Sequence, residues 1–103
     1  MARLATDLSD PSARPYFLWD EQRTVGEFRA ALARAERAEW ARLVGKLMRE
    51  ARDRDVWLFV SPNEVWARFA EIEPHLGRRR AFWQYLLQGW SHDGYLEDPR
   101  GGH

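Results

Sequence analysis

Ala35-Glu36-Arg37-Ala38-Glu39-Trp40-Ala41-Arg42-Leu43-Val44-Gly45-Lys46-Leu47-Met48-Arg49-Glu50-Ala51-Arg52 is the stretch whose reading decides the fold. Trp40, Leu43, Val44, Leu47, Met48 and Ala51 recur at three- and four-residue intervals, which lays them along one side of a helix. The opposite side carries Arg42, Lys46, Arg49 and Glu50 and reads as a solvated face. Glu50 with Arg54 and Arg49 with Asp53 have the spacing of i,i+4 ion pairs. A helix with one apolar stripe must bury that stripe, so the rest of the chain is read for what covers it.

Upstream, Thr24-Val25-Gly26-Glu27 matches a capping box, in which Thr24 accepts from the backbone and Glu27 reaches back. Val25, Phe28, Leu32 and Ala35 follow at helical spacing, and Gly26 weakens this short helix slightly. Downstream, Val56-Trp57-Leu58-Phe59-Val60 fits a short strand or a buried helical turn. The turn is preferred because no second convincing strand exists to pair with it. Ser61-Pro62-Asn63-Glu64 is the strongest local signal: Ser at the N-cap, Pro at the first helical position, Glu at the third. Val60 and Val65 stand where a hydrophobic staple places them. This helix is expected to reach about Ile72, with Val65, Trp66, Phe69 and Ile72 on one face. Glu73-Pro74-His75-Leu76-Gly77 is a connector. A last helix over about Arg78–His92 carries Phe82, Trp83, Leu86, Leu87 and Trp90, and Asp93-Gly94 stops it.

Before the helices, Pro15-Tyr16-Phe17-Leu18-Trp19-Asp20 brings four large apolar residues together in a run too short for a helix with its own core face. It is expected to pack as an extended arm, either clasping the core or waiting for a partner. Residues 1–14 read as a flexible lead-in and 97–103 as a flexible tail, leaving 15–96 as a single helical domain. The expected class is all-α: a compact bundle of four to five helices with an N-terminal extended aromatic arm.

Composition narrows the function. At 103 residues the chain suits one domain, and 45% hydrophobic with 31% charged residues places it among folded proteins. Sixteen Lys+Arg balance sixteen Asp+Glu, so nucleic acid or anionic lipid would need a local patch. The absence of Cys removes disulfides, thiol nucleophiles and thiolate metal sites. Neither a signal-peptide apolar region nor a membrane-length apolar run is present, so a cytoplasmic setting is the expectation. Six Trp are the outlier. Three or four are expected in the core, and the rest on a binding surface, where Trp and Arg are favoured anchors.

No catalytic constellation emerges, and no cofactor or metal is expected. His75, His92 and His103 lack metal-ligand spacing; His92 near a helix C-terminus suits the helix dipole. Glu71 with Glu73 and Asp53 with Asp55 are carboxylate pairs without a pocket signature. Ser9, Ser12 and Ser61 have no obvious base beside them, Ser91 and His92 are adjacent but point about 100° apart on a helix, and there is no phosphate loop, nucleophile elbow or dinucleotide fingerprint. The cluster that stands out is Arg78-Arg79-Arg80, three positive charges at a helix N-terminus that opposes them. Either they are solvated or paired, for instance with Glu73, or they grip an anion or an acidic protein surface. A second reading takes 62–72 and 78–92 as a helix-turn-helix, with Arg80, Gln84 and Gln88 at i, i+4 and i+8 able to read guanine and adenine edges. Zero net charge and a five-residue connector weigh against it.

The run Pro15-Tyr16-Phe17-Leu18-Trp19-Asp20, together with Asp55-Val56-Trp57-x-Phe59 and His75-Leu76-Gly77-Arg78-Arg79-Arg80-x-Phe82-Trp83, resembles a family of small bacterial proteins that open with P-Y-F-x-W-D. Its members tend to be encoded beside nucleotidyltransferases of the AbiEii toxin type. The resemblance covers residues 15–96 and brings no catalytic residues. It implies an antitoxin or accessory protein that binds a nucleotidyltransferase partner, with Tyr16, Phe17 and Trp19 as aromatic anchors. Arg78, Arg79 and Arg80 would then meet the partner's acidic carboxylates.

Overall fold

The computed structural model describes residues 4–97. Its helices are α1 (Val25–Arg34), α2 (Arg37–Glu50), α3 (Asp53–Val56), α4 (Pro62–Ala67), α5 (Phe69–Ile72) and α6 (Arg80–His92). Three 3-10 turns, Tyr16–Leu18, Glu73–His75 and Gly77–Arg79, join them. Among the described residues the only strands are β1 (Leu4–Ala5) and β2 (Arg14–Pro15), paired in parallel with Leu4 opposite Arg14. The chain is therefore mostly helical, as expected, but only α1, α2 and α6 reach ten residues. Six helices are described, and the expected four- to five-helix bundle is not confirmed; shorter pieces pack around α2.

That central helix is α2, and its burial corrects the sequence reading. Leu43, Val44, Gly45, Lys46, Leu47 and Met48 are all buried, so the middle of α2 has no solvated face. The helix touches α1, α3, α5, the first 3-10 turn and both 3-10 turns before α6. Glu50 ends it and Ala51 turns extended, which separates Glu50 from Arg54 and Arg49 from Asp53. Neither i,i+4 pair forms; Arg49 meets Glu50 and the His75 carbonyl instead.

Both capping boxes form as read. Thr24 Oγ1 accepts from Glu27 N and Glu27 accepts from Thr24 N; Ser61 and Glu64 do the same at α4. Val60 and Val65 are both buried beside the second box. The helix after Ser61 breaks at Arg68, whose backbone (φ −117°, ψ 21°) lies outside the α region, and resumes as α5. Residues 56–60 take the helical turn preferred over a strand, with Val60 N donating to Val56 O.

The expected extended arm is corrected. Tyr16–Leu18 is a 3-10 turn that places Phe17 and Leu18 wholly inside the core. Phe17, Phe28 of α1 and Phe59 meet edge to face, each pair 5.4 Å apart, so one ring from each of three segments closes the core at this end. Residues 4–14 fold onto the domain: Asp7 and Asp10 accept from the backbone of Ser9 and Ser12, Leu8 is buried, and Val25 N and Gly26 N donate to Ala13 O and Pro11 O. Aperiodic sequence here means tight Asx turns. Residues 1–3 and 98–103 lie outside the described residues, so only Glu97 of the expected tail is seen; its N–H donates to Asn63 Oδ1.

Of the six Trp, Trp83 is fully buried, Trp40, Trp57, Trp66 and Trp90 pack half-buried against the core, and Trp19 stands out in solvent.

Candidate functional site

The residues proposed as anchors divide sharply once placed. Phe17 has no exposed surface and cannot meet a partner. Tyr16 is half-buried and engaged on both sides: its hydroxyl donates to Asp55 Oδ2 (2.5 Å) and accepts from Arg52 N (2.8 Å). Burial first, and then Asp55, raises its pKa, so it stays a neutral phenol tying the first turn to α3. Trp19 alone of the three is free to meet a partner, at 60% exposure.

The backbone at Trp19 is fixed by polar contacts. Arg14 donates to the carbonyls of Trp19 and Glu21 (3.1 and 2.7 Å), bracing the turn. Next to it, Asp20 and Glu21 both bind the Lys46 ammonium, whose side chain is only 9% exposed. Burial pulls the Lys46 pKa down, but these two hydrogen bonds outweigh it and the net shift is upward; the same bond lowers Asp20. Lys46 is thus a buried cation whose two carboxylate partners lie at the surface, joining the segment after the turn to α2, and it does not belong to the solvated face expected of it.

The three arginines also separate. They do not sit together at an α-helix N-terminus: Gly77–Arg79 is a 3-10 turn and α6 begins at Arg80. Arg79 turns inward. It donates to Ala51 O (3.1 Å), sits within 3.5 Å of Met48 O, pairs with Asp53 and packs over the rings of Phe82 and Trp83. Trp83 Nε1 donates to Met48 O as well (2.9 Å). Carbonyls at a helix C-terminus lack intrahelical partners and carry the negative end of the dipole, so Arg79 and Trp83 cap α2. Arg80 pairs with Glu73 (2.8 Å), the carboxylate named from sequence. Arg78 is exposed.

Along α2, Lys46 reaches Asp20, and one turn on Arg49 donates to His75 O and lies against Gly77, whose φ of +55° turns the chain into Arg78.

Sequence reasoning missed the most exposed rings. Tyr85 is 81% exposed on α6 and Tyr95 74% just after it, while Phe82 at the edge of the expected apolar half is 41% exposed. A signal existed for Tyr85: it lies two residues from both Trp83 and Leu87, each buried, and so on the far side of the helix. Of the stripe Arg80, Gln84 and Gln88, Arg80 is paired, Gln84 is half-buried and Gln88 is exposed, so no continuous positive surface forms there.

A shallow cleft of about 220 Å³ lies between Arg29, Leu32, Ala33, Trp40, Phe59, Val60 and Glu64. Its polar groups are committed: Arg29 donates to Leu58 O and covers the Phe59 ring, and Glu64 completes the α4 cap. Among the described residues there is no cluster of three His, Asp or Glu able to hold a metal ion, and no helix long and apolar enough to cross a membrane. The chain matches no family model, no curated protein and no solved structure with which it was compared.

Proposed function

We propose that the chain is a small protein-binding accessory module, antitoxin-like, acting on a nucleotidyltransferase-type partner. The observation that carries the binding role is aromatic exposure: Trp19, Phe82, Tyr85 and Tyr95 stand 41–81% open in a domain this small. Large rings left in water forgo burial that a core would supply, and such rings are the usual anchors of protein interfaces. Trp19 is the anchor that the resemblance also points to. The nucleotidyltransferase itself is supported by the resemblance alone.

The alternative, a DNA-binding helix-turn-helix-like regulator using 78–92, has less support. Arg80 is neutralised by Glu73, Gln84 is half-buried, and the outer side of the helix is aromatic. DNA retention, if any, would then be lost steeply with salt and show no sequence preference.

The test is co-expression with an AbiEii-type nucleotidyltransferase from the same genome, followed by pull-down. The partner is expected to co-purify, and Trp19→Ala to reduce retention by about tenfold or more. Retention unchanged by Trp19→Ala would sink the assigned surface, and no retention at all would sink the partner class.

A further inference from the structure

We propose that the outer face of α6 is a homodimer interface, on which a second copy of this chain docks its own α6 antiparallel. The inference rests on reading the exposed rings as docking residues, and it gives the α6 rings an occupant different from the partner at Trp19.

The argument starts from the helix's geometry. At 100° per residue, Ala81, Phe82, Gln88 and Gly89 all fall within about 60° of Tyr85. Every one of them is exposed, while Trp83 and Leu87 on the other side are fully buried. No charged residue lies on this face between Arg80 and His92. Gly89 sharpens the point. A glycine in a helix interior costs about 1 kcal/mol relative to alanine, and a Cβ at Gly89 would meet nothing within 4 Å. Nothing inside the chain requires the missing side chain, whereas a second helix crossing there would.

Self-complementarity selects the occupant. A two-fold axis through Tyr85 sets Ala81 against Gly89 of the second copy, Phe82 against Gln88, and Tyr85 against itself. Small residues face small ones and let the helices approach, with the rings packed between them. The charges agree. Arg78 lies at the positive end of its own helix dipole, where it is disfavoured. In the antiparallel pair it lies at the C-terminal, negative end of the other α6, beside Asp93, which is exposed. A parallel pair would bring Arg78 against Arg78. One helix face is smaller than the roughly 800 Å² per partner of a standard interface, so the dimer is expected to be reversible and dilution-sensitive.

Sedimentation of the full chain alone, over a dilution series, tests this. The average mass is expected to rise with concentration toward that of two chains. Arg78→Glu or Asp93→Lys alone should weaken association by about five- to tenfold, and the double variant should restore most of it, because each reversed charge again faces its opposite. Gly89→Gln should weaken association while leaving the helix intact, as thermal melts by circular dichroism would verify. A monomer at every concentration overturns the proposal, and so does a dimer unmoved by these changes or a double variant that fails to recover. A monomer that still retains the nucleotidyltransferase through Trp19 leaves the proposed function standing. A dimer that retains no partner does the reverse.

Discussion

Gly45 sits where α2 crosses the 3-10 turn at Glu73–His75, and a methyl there would overlap the Cβ of His75. The contact is with the stem of a side chain on a tight turn, so relief requires backbone movement. Gly45→Ala, which would raise helix propensity on an isolated helix, is expected to destabilise by about 1–3 kcal/mol, read from urea unfolding. Arg79 is the second residue whose role is set by one site. Replacing it with Met keeps much of the stem over Phe82 and Trp83 but removes its hydrogen bond to Ala51 O and its pairing with Asp53. The expected loss is about 1–3 kcal/mol, because hydrogen bonds from a charged donor are the stronger kind. By contrast Arg78→Ala, at an exposed position, should fall within about 0.5 kcal/mol of wild type. Equal losses at 78 and 79 would show that the cluster acts as a unit.

At the scale of the element, the two capping boxes should respond alike. Thr24→Ala and Ser61→Ala each remove a hydroxyl that accepts from the third helical N–H, at an expected cost of about 1 kcal/mol. Helix α4 is six residues long and α1 ten, so amide exchange should open α4 more readily after its cap is lost. The segment that follows the first 3-10 turn is held to α2 by the Lys46–Asp20 and Lys46–Glu21 pairs, and so depends on pH. The Asp20 carboxyl is lowered by its hydrogen bond to Lys46, so its contribution is present above the ordinary carboxylate pKa and is lost as pH falls through the lower folded value. Lys46 is raised, so its contribution is complete below the ordinary lysine pKa and is lost only as pH rises past the folded one. The segment is therefore expected to loosen at the acid end, below about pH 4, and again only in strong alkali. Lys46→Met should flatten the part of the acid limb due to Asp20. An acid limb identical in wild type and Lys46→Met would place its cause elsewhere, for instance at Asp7 and Asp10, which are also lowered.

For the molecule as a whole, what was legible followed from local rules. The caps at Thr24 and Ser61 and the period of Trp40–Ala51 concern residues three or four apart, where backbone geometry alone fixes the neighbours. The break at Arg68 was not legible, because Ala67-Arg68-Phe69 contains no helix breaker. It accompanies the stacking of Arg68 on Trp40 and the burial of both Phe69 and Ile72. Nor was the burial of Lys46: its counterions, Asp20 and Glu21, lie 25 or more residues away. Of the candidate surface, Trp19 and Arg78 were named from sequence and are exposed, but Phe17 and Arg79 were named beside them and point inward. Adjacent residues in a tight turn face different ways, and a motif cannot say which. The sequence by itself determined that the chain is mostly helical and where its main helices begin, since those depend on hydrogen bonds and periodicity within a few residues. Only the tertiary structure decided that the middle of α2 is enclosed, that Arg79 caps it, and that Tyr85 is left in water. Those outcomes depend on which distant segments arrive at each helix, and short-range chemistry does not encode that.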